Sequence, residues 1–584
     1  MKKKVLSLIL ALTVIATSAP VSNLAVYAND FTDEEIAVSD MDTEAENSST
    51  DDETVDMEET AGSEEESNLE TDSSEDVEDL EEDFSDSEND AELTIEPEEN
   101  NEKSEGIETD ITDAEEIDGG ESQQAGSSEE YTYGDYRYIV VGDKATITGY
   151  TGRKKEISIP DEINGHGVTT IGLEAFRECS TLEKVYIPEN VTKIENDAFY
   201  NCRQLNSVKI NDSAEKELTI GCNVFSNCTS LKEIILPERV TNLGEEFISG
   251  TSITSITIPK NLQRAEGYYL LGYEGALTGA DNLEEVIFEE GIKTICNQIC
   301  YENKAIKKVI IPDSVEKIDY YAFYGCVSLE KIKLPTNLTM ISADSFNKCT
   351  ALEYIDIPAS VTVLGSSAFE GCIKLNSVNI ENNEKNELKI YDHAFSWCQN
   401  LTELILPERV TYLGAEFVSG TEITSIVIPK DLKAVGGYES YGRYYGPLAG
   451  ANKLEKVVFE EGTTTIFDKM CAGNMAITKI EIPETVQIIK DYAFYGCTEL
   501  EEISIPQNVV NIGSYAFSRC TKLSHVQMKD NKEKELEIYD HVFTGCLNLK
   551  ELTLPENVIY LFKIIYVFLT IFLYLLKCPQ SLIL

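Results

Sequence analysis

Histidine and tryptophan are scarce: four His (His166, His393, His525, His541) and one Trp in 584 residues. Basic residues are few as well, 47 Lys+Arg against 105 Asp+Glu, for a net charge of −58. Phosphate contacts need clustered Lys and Arg, so this balance excludes nucleic acid as a partner. No HExxH, CxxC or Cys/His cluster occurs, which leaves no zinc site. Nucleophile elbows and phosphate-cradling glycine loops are missing too. His393 and His541 stand in matching YDHAF and YDHVF copies beside Asp392 and Asp540, with no nucleophile placed by any motif. No catalytic residue, metal or cofactor is therefore expected. A carbohydrate-active enzyme is disfavoured in the same way, because no acid pair converges on a cleft.

The charge is concentrated. Residues 31–130 hold 43 acids and one base, Lys103, with Phe31 and Phe84 as their only aromatics. Such a stretch cannot bury enough apolar surface to offset the entropy of ordering it. It reads as a disordered acidic spacer over 29–130, without the D-x-D-x-D-G spacing of a calcium loop. Ahead of it, Lys2, Lys3 and Lys4, the apolar run Val5–Ile15 and Val26-Tyr27-Ala28 have the order of a cleaved secretory signal over 1–28.

From Tyr131 onward a repeat dominates, with the frame I-x-x-x-A-F-x-x-C-x-x-L-x-x-V-x-I-P. Aligned on its cysteine it gives sixteen anchors: Cys179, Cys202, Cys228, Gly250, Ala280, Asn303, Cys326, Cys349, Cys372, Cys398, Gly420, Ala451, Asn474, Cys497, Cys520 and Cys546. The commonest interval is 23 residues, inside the leucine-rich range, and predicts a β-rich solenoid. Leu182, Val185 and Ile187 alternate inward from a short strand while Lys184 and Tyr186 face out. The proline that follows (Pro188, Pro358) ends the ladder. Ile194, Ala198 and Phe199 return the chain, the Phe plugging the core. A larger cassette is duplicated, LPERVTNLGEEFISGTSITSITIPK (236–260) against LPERVTYLGAEFVSGTEITSIVIPK (406–430), and a third copy begins at Cys520. Of fifteen cysteines, ten hold the anchor position, which Gly and Ala also fill; that marks a small buried residue rather than a disulfide partner. Cys300 and Cys471 take the place of the core Phe.

The A-F-x-x-C-x-x-L-x-x-V-x-I-P frame over about 140–558 resembles the BspA-like (Treponema-type) leucine-rich repeat of bacterial surface proteins. Residues 131–170 are similar to that family's opening half-repeat, leaving 171–561 as the array. The resemblance implies an exported, secreted or cell-surface-associated protein, with adhesion known for some members. The expected function is an adhesin-like, non-catalytic binding protein whose partner is a protein or cell-surface ligand. A passive structural spacer or coat component is the alternative.

Two surfaces are expected to bind. The first is the concave strand face, where Ile405, Val427 and Val458 make three successive apolar rungs; ordinary β-branched strand filling explains them equally well. The second is a pair of insertions, 264–279 with Tyr268, Tyr269 and Tyr273, and 434–450 with Tyr438, Tyr441, Tyr444 and Tyr445. Tyr interleaved with Gly and Ser suits adaptable binding loops, although the rings could equally cover the coil beneath. The loops lie seven coils apart, roughly 35 Å at the strand spacing. Finally, 558–576 is apolar but for Lys563 and Thr570 and just long enough to span a bilayer. The tail 562–584 reads either as a membrane anchor, the one membrane contact expected, or as a frame ended in mid-repeat, the reading preferred here. A sortase signal is rejected, because Leu554-Pro555-Glu556 belongs to the repeat, as Leu406-Pro407-Glu408 does.

Overall fold

In the computed structural model, residues 129–265, 274–531, 533–556, 558 and 559 are described. The signal segment, nearly all of the acidic spacer and the tail 562–584 lie outside them. Among the described residues there is no helix, and so none long and apolar enough to cross a membrane. The chain winds as a β-solenoid of about seventeen turns of roughly 23 residues.

Each turn has three sides. The V-x-I strand forms the first, in parallel register with its neighbours: Lys184–Ile187 pairs with Ser207–Ile210, Val185 against Val208 and Ile187 against Ile210. Its alternation is the expected one, with Leu182, Val185 and Ile187 buried and Lys184 exposed. This sheet is broken into short ladders of two or three strands: the segments 231–237, 330–335 and 401–407 join none of them, and Lys479–Glu481 does not pair with Glu502–Ile505. The second side was not anticipated. Two-residue strands such as Lys193–Ile194, Lys317–Ile318 and Ile488–Ile489 stack into longer ladders, one seven strands deep from Thr294–Ile295 to Ala434–Val435. At the start of the array, Tyr131–Tyr133, Tyr136–Val141 and Lys144–Tyr150 pair antiparallel, then hand over to parallel pairing at His166–Ile171. Tyr136 and Tyr150 pack on Phe176 and cover the first coil.

The A-F-x-x-C segment is the third side. Two residues four apart sit in the left-handed region in most turns, for example Asp197 (φ 56°) with Asn201 (φ 60°), and His393 (57°) with Trp397 (60°). That geometry costs a non-glycine residue on the order of 1–2 kcal/mol. It persists because alternate N–H groups then donate to the next coil: Asp197 to Cys222 O, Phe199 to Val224 O and Asn201 to Ser226 O.

The core is one continuous column. Phe176, Phe199 and Phe225 stack at 4.9 and 5.4 Å, and Phe323, Phe346, Phe369 and Phe395 at 5.2, 5.2 and 5.6 Å. Where Cys300 and Cys471 shorten this column, the strand position of the same turn becomes aromatic. Phe288 and Phe459 turn their edges onto Phe323 and Phe494, each at 6.4 Å. Each buried Leu, Ile, Val or Phe contributes roughly 1.5–3 kcal/mol, and each coil buries its share only against its neighbours.

The structure corrects the register at two anchors. The left-handed pairs Glu246/Gly250 and Glu416/Gly420 place Thr251 and Thr421, not Gly250 and Gly420, at the cysteine position. The correction has a chemical sense. The cysteine is more than a small filler: Cys202 Sγ donates to Phe176 O at 3.0 Å and Cys349 Sγ to Phe323 O at 3.2 Å. Thr251 and Thr421 donate to Ile248 O and Val418 O, both at 2.8 Å, and Asn303 and Asn474 reach Leu277 O and Leu448 O at 2.7 Å. The position selects small donors, and Ala280 and Ala451 are its two exceptions.

Candidate binding surfaces

All fourteen described cysteines are free thiols. Burial pushes the Cys372 thiol up to about 12, and Cys326, Cys349 and Cys471 rise for the same reason. Thiolates are the reactive form, so these groups are inert as nucleophiles.

His393 gathers a Ser and a Glu that the sequence frame did not connect. Ser396 Oγ is 3.4 Å from His393 Nδ1, and His393 Nε2 is 3.9 Å from Glu416 Oε2. Ser396 is fully buried, however, and its hydroxyl donates to Glu416 O at 2.6 Å. A nucleophile needs a free, reachable oxygen, and this one is committed to holding two coils together. Asp392, the neighbouring acid, accepts from Ala415 N at 2.7 Å instead.

On the strand face the three apolar rungs differ. Val427 is 51% exposed and pairs directly with Val458, which is half-buried. Ile405 is 69% exposed but lies in the segment that joins no ladder. Its counterpart one cassette earlier, Ile235, is 78% exposed. Elsewhere this face carries rungs of opposite charge: Lys307–Glu284 at 2.7 Å, Lys308–Glu285 at 2.6 Å and Lys456–Glu481 at 3.0 Å.

The second insertion is an antiparallel hairpin, Tyr438–Ser440 against Arg443–Tyr445. Tyr441 (φ 48°) and Gly442 (φ 68°) form its two-residue turn, the mirror-image geometry that suits the strand twist. Its base is fastened at several points. Gly446 N donates to Ala472 O at 3.1 Å, and a Cβ on Gly446 would meet Lys469 O at 1.6 Å. Tyr438 stacks on Tyr445 at 5.1 Å and its hydroxyl donates to Glu416 Oε2 at 2.5 Å. Burial and that carboxylate push the Tyr438 phenol well above its ordinary value. Tyr444 lies 4.0 Å from Tyr492 and begins a column that runs through Tyr515 to His541. Tyr444 and Tyr445 are half-buried, Tyr438 is 41% exposed, and Tyr441 at the tip is fully exposed. In the first insertion, residues 266–273, and with them Tyr268, Tyr269 and Tyr273, lie outside the described residues.

Arg239 and Arg409, at matching places in the two LPER copies, are buried. Each guanidinium donates only to carbonyls: Arg239 to Asn211, Val191 and Pro188, and Arg409 to Glu381, Val361 and Pro358. Each clamps together turns up to 51 residues apart in sequence.

Solved structures that resemble the chain include a leucine-rich repeat protein from Bacteroides ovatus (26% identity, 72% of this chain and 93% of that one, TM-score 0.41). A leucine-rich cell surface protein from Faecalibacterium prausnitzii shares 24% identity over 69% of this chain and 96% of its own (TM-score 0.27). The leucine-rich repeat protein of T. pallidum shares 22% over 34% and 91% (TM-score 0.29). No curated protein matches. A family profile described as the BspA type leucine-rich repeat region matches residues 150–272, 273–387, 317–442 and 448–570. Proteins of this kind are generally non-catalytic scaffolds that bind proteins or other ligands. With most of its length matched by that profile, the chain belongs to the BspA-type leucine-rich repeat family.

Proposed function

We propose that the chain is an exported, cell-surface-associated binding protein, non-catalytic and adhesin-like, that holds a protein partner through the tyrosine-rich insertions and the apolar rungs. One observation carries this reading. The hairpin 438–445 is tied down at its base and presents a fully exposed Tyr441 at its tip. A rigid aromatic with few rotatable bonds loses little entropy on binding and contributes a large contact area. The homologous insertion 264–279 offers a second contact, and a partner engaging both gains in effective concentration. The leader-like segment 1–28 supports export.

The test is saturable binding of the purified chain to immobilised matrix proteins and to intact cells, with Tyr441→Ser as the probe variant. Binding at least tenfold weaker with unfolding unchanged supports the reading. No saturable binding to any surface favours the spacer reading, for which the charge-paired rungs of the strand face speak.

A further inference from the structure

A cleft of about 570 Å³ opens beside the hairpin, over the coils from Asp468 to Tyr539. Its origin is a missing side chain. Ile466, Ile489, Ile512 and Ile538 are paired in register, so Phe467, Lys490, Gly513 and Tyr539 form one column of successive coils. Lys490 leans back over the Phe467 ring at 4.8 Å, and at Gly513 the column is empty. Glycine is required there: a Cβ would stand 2.3 Å from Asp491 Oδ1, and that carboxylate oxygen accepts Ser514 N–H at 2.7 Å. Lys490 and Tyr539 are two strand spacings apart, roughly 10 Å along the stack, enough to admit one flat ring between them.

The lining sets the ligand. Asp468 and Asp491 oppose Lys469 and Lys490, so the formal charges cancel. A phosphate or nucleotide site would carry a surplus of cations, and a metal site a surplus of carboxylates. Beside Gly513, the remaining walls are Tyr444, Tyr492 and Tyr539 with Ser514 and the amide of Asn511. Carboxylates accept, ammonium groups donate and the amide does both, the mixture that hydroxyl groups need, each being at once donor and acceptor. The negative faces and polar rims of phenol rings suit the positive C–H faces and hydroxyl edges of a sugar. The volume is within the range of small-ligand sites.

We infer that this cleft is a saccharide-binding site for one ring of a neutral glycan, such as the end of a surface oligosaccharide. Tyr441 does not line it, so the site is separate from protein capture by the hairpin tip and stands whether or not that capture occurs.

The test is saturation-transfer NMR on the purified chain with free neutral trisaccharides built from glucose, mannose, galactose and N-acetylglucosamine. Sialyllactose and inorganic phosphate serve as charged probes. Transfer to at least one neutral trisaccharide is expected, with affinity falling tenfold or more in both Tyr539→Ser and Asp468→Ala and unchanged in Tyr441→Ser. Tyr539 is exposed and Asp468 half-buried on the surface, and an unchanged melting temperature shows that either variant still folds. A variant that melts early is replaced by Tyr539→Phe or Asp468→Asn, for which a threefold loss is expected. Transfer to no neutral saccharide, transfer to the charged probes alone, or binding that survives both substitutions overturns the inference.

Discussion

The cassettes that begin at Cys202 and Cys372 are two versions of one design: their buried differences are mostly exchanges of one apolar side chain for another, such as Val224 for Ala394 and Ile248 for Val418, and their changes of chemistry fall mostly outside. Inside, Arg239 and Arg409 make the same three carbonyl bonds, Cys300 and Cys471 shorten the same column, and Phe288 and Phe459 fill the same gap. Outside, Asn223 becomes His393, Asn227 becomes the half-exposed Trp397, and Gln263 becomes Lys433, which bridges to Glu387. Buried positions answer to neighbours one coil away, so a change on one coil propagates; outward positions answer only to solvent or a partner. The surfaces are therefore where the two copies are free to diverge.

The first way to break that comparison is to remove the clamp. Arg239→Ala and Arg409→Ala should each cost about 3 kcal/mol, because three buried carbonyls lose a charged donor. Urea unfolding should give similar losses for both; a large loss in one alone would show that the cassettes do not share a framework. Next come the compensating aromatics. Phe288→Ile and Phe459→Ile should each cost about 1–2 kcal/mol by leaving a void beside Cys300 or Cys471, whereas Val427→Thr on the strand face should be nearly neutral.

Smaller effects sharpen the contrast. Burial, Glu274 and Asp281 raise the Glu246 carboxyl above its usual range, and burial, Glu274 and Glu246 raise Glu245. A carboxyl whose folded value is raised disfavours the fold when ionised. The penalty is present above the folded value and is relieved as pH falls toward the unfolded value. Glu245→Ala, which copies Ala415 of the second cassette, should thus raise the melting temperature at pH 7 and lose that advantage near pH 4. Gln263→Lys, built to pair with Glu217 as Lys433 does with Glu387, should add about 0.5 kcal/mol or less, since the pair is exposed.

How much of this was legible depended on the length of each signal. The strand Lys184–Ile187 sits in a frame repeated many times, so its alternation, period and inward face could be read directly. The second ladder could not, because two residues such as Lys193–Ile194 cannot display an alternation. The left-handed positions fell on variable places in the frame, where Asp197, His393 and Tyr515 share a backbone conformation but no chemistry. Gly250 and Gly420 drew the alignment one residue short, since small size was weighed at the anchor and hydrogen-bond donation was not. The insertion 434–450 showed its composition, but its hairpin depends on Tyr441 accepting a positive φ. The role of Arg239 left no local signal, because the carbonyls it binds lie 28 to 51 residues away.

The role of the hairpin is tested by the binding isotherm of the intact chain against Tyr441→Ser, measured on immobilised matrix proteins with unfolding monitored in parallel. Saturable binding by the parent, at least tenfold weaker in the variant at equal stability, is the predicted result. Equal binding by the two at equal stability would contradict it and move the partner away from the hairpin.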